Sequence, residues 1–205
     1  MTKRTAKRAT ARRSAGVYTV FGLVAAVLLL AIGGFLWRGA SNDRPSIGGP
    51  FTLESGAGKM VTAGDFRGKY MLVYFGYTFC PDICPTALSA MTTALETLGP
   101  KTKDLAPVFI TVDPRRDTPQ VILRYTAALS PKLIGLTGTP DEIAKVAREY
   151  RVYYSKHATG PGPDDYSMDH SSIIYLMGPD GRFIAPIPAE RSPAEMAADI
   201  RRLMS

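Results

Sequence analysis

The chain has 205 residues and a formal net charge of +7, with 25 Lys plus Arg against 18 Asp plus Glu. Six of those basic residues fall in the first sixteen positions, which hold no acid, so the remainder is nearly neutral, 19 against 18. A positive balance confined to one tail leaves no electrostatic footprint for nucleic acid, and no nucleic-acid partner is expected.

The basic tail, residues 1–16, precedes 21 uncharged residues from Val17 to Trp37. A helix of that length spans roughly 30 Å, the hydrocarbon thickness of a bilayer. Lys3, Arg4, Lys7, Arg8, Arg12 and Arg13 on one side orient such a span with the N-terminus in the cytoplasm. The expectation is therefore a transmembrane anchor over 17–37 with the lipid bilayer as partner. It implies a single-pass protein of the bacterial inner membrane with its domain in the periplasm. A mitochondrial inner membrane facing the intermembrane space is the alternative, and a cleaved signal peptide is the rival reading of the segment. Residues 38–50, rich in Gly, Pro and Ser, form a linker, and residues 51–205 suffice for one domain with a real core.

Within that domain, Phe51–Leu53 and Met60–Thr62 read as a short hairpin. Tyr70–Tyr77 and Leu105–Val112 are nearly continuous apolar runs, the pattern of strands buried on both faces. Pro85–Leu98 has helical spacing at Leu88, Met91, Leu95 and Leu98 and stops at Gly99-Pro100. Asp117-Thr118-Pro119 and Thr139-Pro140-Asp141-Glu142 open two further helices. Leu133–Leu136 and Val152–Lys156 are short strands, and His157–Asp165 is a long loop. A hairpin follows over 172–186, then a closing helix over 192–204. The alternation of strands and helices predicts an α/β fold, a mixed sheet with helices on both faces.

The two cysteines of the chain stand together in Gly76-Tyr77-Thr78-Phe79-Cys80-Pro81-Asp82-Ile83-Cys84-Pro85, between the first buried strand and its helix. That is where thioredoxin-like proteins carry their thiols. Cys84 falls in the first helical turn, where the partial positive charge of the helix N-terminus lowers a thiol pKa. Sulfurs four residues apart can share a soft metal ion at once, and can close a disulfide after local unwinding. Soft thiolates select monovalent copper, and imidazole suits copper or zinc. Of the two histidines, His170 follows the long loop at the mouth of a strand and is the candidate third ligand, with Asp169 as a candidate for orienting the ring or its loop. His157 reads as a surface histidine. Asp113-Pro114-Arg115-Arg116-Asp117-Thr118 reads as a strand exit and a helix cap.

These segments, with Gly135-Leu136-Thr137-Gly138, Tyr150-Arg151-Val152-Tyr153-Tyr154-Ser155-Lys156 and Asp169-His170-Ser171, resemble the Sco/SenC family of thioredoxin-like copper-handling proteins. The resemblance covers about residues 45–205. It implies one copper ion, Cu(I) or Cu(II), bound by Cys80, Cys84 and His170. It implies a metallochaperone that helps assemble the binuclear copper site of cytochrome c oxidase subunit II, with an upstream copper donor. The alternative is a thiol–disulfide reductase that keeps the target's cysteines reduced through Cys80 and Cys84.

Overall fold

A computed structural model describes residues 28–30, 32 and 47–204. The chain divides into two units, Met1–Pro45 and Ser46–Ser205, of which the second carries every strand described below. Nine strands are described: β1 Thr52–Ser55, β2 Met60–Thr62, β3 Tyr70–Gly76, β4 Leu105–Thr111, β5 Ile134–Thr137, β6 Tyr154–Ala158, β7 Tyr166–His170, β8 Ile173–Met177 and β9 Phe183–Pro188. Four α-helices of this unit accompany them: α1 Ile83–Leu98, α2 Pro119–Leu129, α3 Pro140–Glu149 and α4 Pro193–Leu203.

Seven strands form one sheet in the order β2-β1-β5-β4-β3-β8-β9. β3 runs parallel to β4, and β4 to β5, while β8 lies antiparallel against β3. β4 is buried throughout and β3 from Met71 onward, as expected of a central pair covered on both faces. Successive side chains of β3 serve opposite faces. Phe75 packs against Tyr150 and Tyr175, while Tyr74 turns toward the His170 ring. The fold is a thioredoxin-like mixed α/β sheet.

Local signals account for the helix starts. Thr118, Thr139 and Ser192 cap α2, α3 and α4, each followed by Pro in the first turn. In the last two the capping residue's own amide also donates to the carboxylate of a Glu three residues on, Glu142 and Glu195. Helix α1 buries Cys84, Ala87, Leu88, Met91, Ala94, Leu95 and Leu98, a single apolar stripe. Its first buried residue is thus a thiol, held in place by the rest of the stripe.

The structure alters the sequence reading in two places. The stretch read as a long loop holds strand: β6 continues through His157 to Ala158, and β7 pairs with it antiparallel in a separate two-stranded sheet. Only Tyr166 and Met168 of β7 are buried, so its alternation is carried by two side chains among polar neighbours and is faint in the sequence. The second correction concerns the membrane. Of the apolar run 17–37, the described residues include only Leu28, Leu29, Leu30 and Ile32, and the rest lies outside them. Among the described residues no helix is long and apolar enough to cross a membrane, since a span takes about 20 apolar residues. The expected transmembrane helix is corrected accordingly. With it go the bilayer as partner and the single-pass inner-membrane placement.

Candidate metal centre

The parallel register of β3 and β4 sets Gly76 beside Thr111, so two loops leave the sheet side by side. The amide of Val112 donates to the Gly76 carbonyl at 2.8 Å and ties those exits together. One loop carries Cys80 and leads into α1. The other is the Asp113–Thr118 segment. This is the carboxyl edge of parallel strands, where open α/β sheets build their sites.

Cys80, Cys84 and His170 converge there, with both sulfurs and one ring nitrogen all within 4.8 Å of one another. Cys84 is buried and Cys80 half-buried, and both are free thiols. The Cys84 amide donates to Cys80 Sγ at 3.4 Å, a consequence of placing one sulfur just ahead of the first helical turn. His170 Nε2 stands 3.1 Å from Cys84 Sγ. Its Nδ1 lies 3.2 Å from the Ser171 carbonyl, which can only accept, so Nδ1 carries the proton and Nε2 offers its lone pair to the thiols. Tyr74 and Tyr77 meet the imidazole edge-on at 5.9 and 6.0 Å and fix its plane. A cleft of about 400 Å³ opens over Cys80 and His170, walled by Tyr77, Ile83 and Met168.

Burial governs the protons of the site. It lowers the His170 pKa below 6.5, so the ring is neutral at physiological pH and ready to act as a ligand. It pushes the Cys84 thiol well above its ordinary range, and the nearby Cys80 sulfur adds to the rise. The expected lowering by the helix N-terminus is outweighed, because the Cys84 side chain is fully buried beside Gly76 and Tyr74 rather than exposed at the helix tip. Two thiols and a neutral imidazole within reach of a common point form a soft donor set that suits copper.

The remaining candidates fall elsewhere. Asp169 is exposed, and its carboxylate sits 2.9 Å from His157 Nε2 on the outer side of the β6–β7 ribbon. The Nδ1 of His170 meets the Ser171 carbonyl rather than Asp169. Met168 lines the cleft wall.

The segment read as a strand exit and cap contributes more than that. Asp117 is fully buried and accepts three hydrogen bonds: from the Thr78 amide at 3.0 Å, the Thr78 hydroxyl at 2.5 Å and the Thr111 hydroxyl at 2.5 Å. It therefore pins the cysteine loop two residues before Cys80. Arg116 pairs with Asp113 and reaches across to β7. The sequence signal was present in the charges of this segment, at the end of a strand parallel to the one that feeds the thiols.

A thioredoxin-like sheet that brings two thiols from its first strand–helix turn to an imidazole on a separate ribbon is a member of that fold with a donor set that could hold a metal ion. The chain belongs to the SCO1/SenC family, whose model matches residues 39–205. It is 45% identical over 163 residues to the human "Protein SCO1 homolog, mitochondrial", covering 77% of this chain and 52% of that protein. It is 41% identical over 197 residues to "Protein SenC" of Rhodobacter capsulatus, covering 94% of this chain and 88% of that one. The chain thus spans about half the length of the human relative. The copper-bound structure of Bradyrhizobium japonicum ScoI superposes with a TM-score of 0.71 at 47% identity, over 77% of this chain and 99% of that one. Copper-bound Arabidopsis thaliana ScoI does so at 0.72 and 42%, over 78% and 98%. A more distant structure, BsSco, at 26% identity and a TM-score of 0.60, covers 78% of this chain and 94% of that one. It is described as a member of the Sco family of cytochrome c oxidase assembly proteins with a disulfide switch.

Proposed function

We propose that this chain binds one copper ion, as Cu(I) or Cu(II), through Cys80, Cys84 and His170. Its role is that of a metallochaperone helping to assemble the binuclear copper site of cytochrome c oxidase subunit II. The observation that carries the reading is the convergence of two thiols and a neutral imidazole within 4.8 Å. The copper-bound relatives of the same fold support the choice of metal. The residues divide the work. Cys84 is enclosed and anchors. Cys80 is reachable from the cleft. His170 belongs to a different sheet and is the ligand best placed to exchange with an incoming donor atom.

Copper titration of the 205-residue chain tests this. One equivalent should bind; Cys80→Ser and Cys84→Ser should each abolish tight binding, and His170→Ala should weaken it at least tenfold. Full binding by Cys84→Ser would reject the site.

The unequal burial of the two thiols favours a second reading, a thiol–disulfide reductase acting on the target's cysteines. The Cys80 thiolate would attack a target disulfide and form a mixed disulfide. The Cys84 sulfur would then attack Cys80, releasing the target as a dithiol and leaving the chain oxidised by two electrons. Under this reading His170→Ala retains reductase activity while copper transfer fails.

A further inference from the structure

The guanidinium of Arg116 lies where the two arms of the metal centre meet. Toward the cysteine loop, its Cζ stands 4.7 Å from the Phe79 ring centre and 5.7 Å from that of Tyr77. Toward the ribbon, it lies 3.6 Å from the ring centre of Tyr166. Nη1 donates to the carbonyl oxygens of Tyr166 at 2.9 Å and Asp164 at 3.4 Å. Nε pairs with one oxygen of Asp113, and the other accepts the Tyr166 hydroxyl at 2.8 Å. Tyr166 is thus held at its ring, its hydroxyl and its carbonyl by one arginine and that arginine's partner.

The positions matter. Tyr166 opens β7 and His170 closes it. Phe79 immediately precedes Cys80. The side chain is only 10% exposed, so its attraction to the buried rings of Tyr77 and Tyr166 is little screened by water. A planar, forked cation can stack on rings and donate in its plane together; an ammonium cannot. Nη2 is buried without a hydrogen-bond partner among the described residues, an unfavourable feature in a residue kept for packing alone.

We infer that Arg116 is a positioning residue for the metal centre. It ties the ribbon bearing His170 to the loop bearing Cys80 and so sets how well Nε2 is presented to the two thiols. This rests on the copper reading given above. Neither the ligand set nor the resemblance to other family members requires it.

The test is a double-mutant cycle on the 205-residue chain, combining Arg116→Ala and Arg116→Lys with His170→Ala. It is read by Cu(II) titration, thiolate-to-copper absorption and nitrogen hyperfine coupling. Arg116→Ala should weaken copper binding at least tenfold and lose the nitrogen coupling, so that its spectrum matches that of His170→Ala. In the His170→Ala background the same change should alter affinity less than about threefold, because contacting groups that act as one unit are not additive. Arg116→Lys keeps charge and stem but not the fork, and should follow Arg116→Ala; it serves if the alanine variant does not fold. As a second readout, amide exchange of the metal-free lysine variant should quicken in β6 and β7 but not in β3 and β4. Equal losses in both backgrounds, an unchanged spectrum, or exchange quickened evenly across the domain would overturn the inference. Failure of the unmodified chain to bind copper would instead overturn the copper reading itself, and that measurement comes first.

Discussion

Cys84 is buried, and burial together with the neighbouring sulfur of Cys80 keeps its thiol protonated at neutral pH. A soft metal needs the thiolate, so binding must expel that proton. Copper uptake between pH 7 and 8 should therefore release at least one proton per ion, and apparent affinity should rise about tenfold per pH unit for each proton released. Calorimetry in buffers of different ionisation enthalpy measures the release directly, and a buffer-independent heat would contradict it. Asp117 acts at the same scale on the loop rather than on the ligands. Its three donors, the buried Thr111 hydroxyl and the half-buried Thr78 amide and hydroxyl, would be left without their partner in Asp117→Ala, which should cost about 1–3 kcal/mol in denaturant titration. Burial also holds its carboxyl above the ordinary 3.8, against the pull of Thr111 and Thr78. Between 3.8 and that raised value the folded chain keeps a proton the unfolded chain has shed, so this group's contribution to stability falls as pH rises through that window and is level above it.

The elements place these groups by close approach. Where β3 ends, a Cβ on Gly76 would lie 2.8 Å from Cys84 Sγ, 3.1 Å from Phe109 and 3.3 Å from Tyr74. The first turn of α1 can press its sulfur against the strand only because no side chain intervenes. Gly76→Ala should destabilise by about 1–3 kcal/mol through overpacking and should also lower copper affinity by displacing Cys84. Thermal melting and titration of the same preparation separate the two effects. A variant that loses stability yet binds copper unchanged would show that the sulfur tolerates the shift. Elements differ in how plainly they were written in the chain. β3 and β4 are unbroken apolar runs, and the starts of α2, α3 and α4 carry a capping residue followed by Pro, so each was legible locally. β7 was not, because Tyr166 and Met168 are its only core-facing side chains.

Across the whole molecule, Cys80, Cys84 and His170 could be picked out because the chain has just two cysteines and two histidines. What supports them was harder to read. The bonds from Thr78 to Asp117 and from Arg116 to Tyr166 bridge 39 and 50 positions; the first needs β3 and β4 to lie parallel, the second needs the β6–β7 ribbon in place. The orientation of His170 likewise depends on a backbone carbonyl, which no side-chain pattern announces. The division of the centre between two sheets also gives any handover a direction. The sulfur of Cys84 is backed by Gly76 at the end of β3. The imidazole arrives on a ribbon paired only with itself. An ion held between them would have Gly76 and the end of β3 behind it and the open cleft in front. Under the copper reading, a recipient would come in past the outer thiol and the ring, both of which line the cleft.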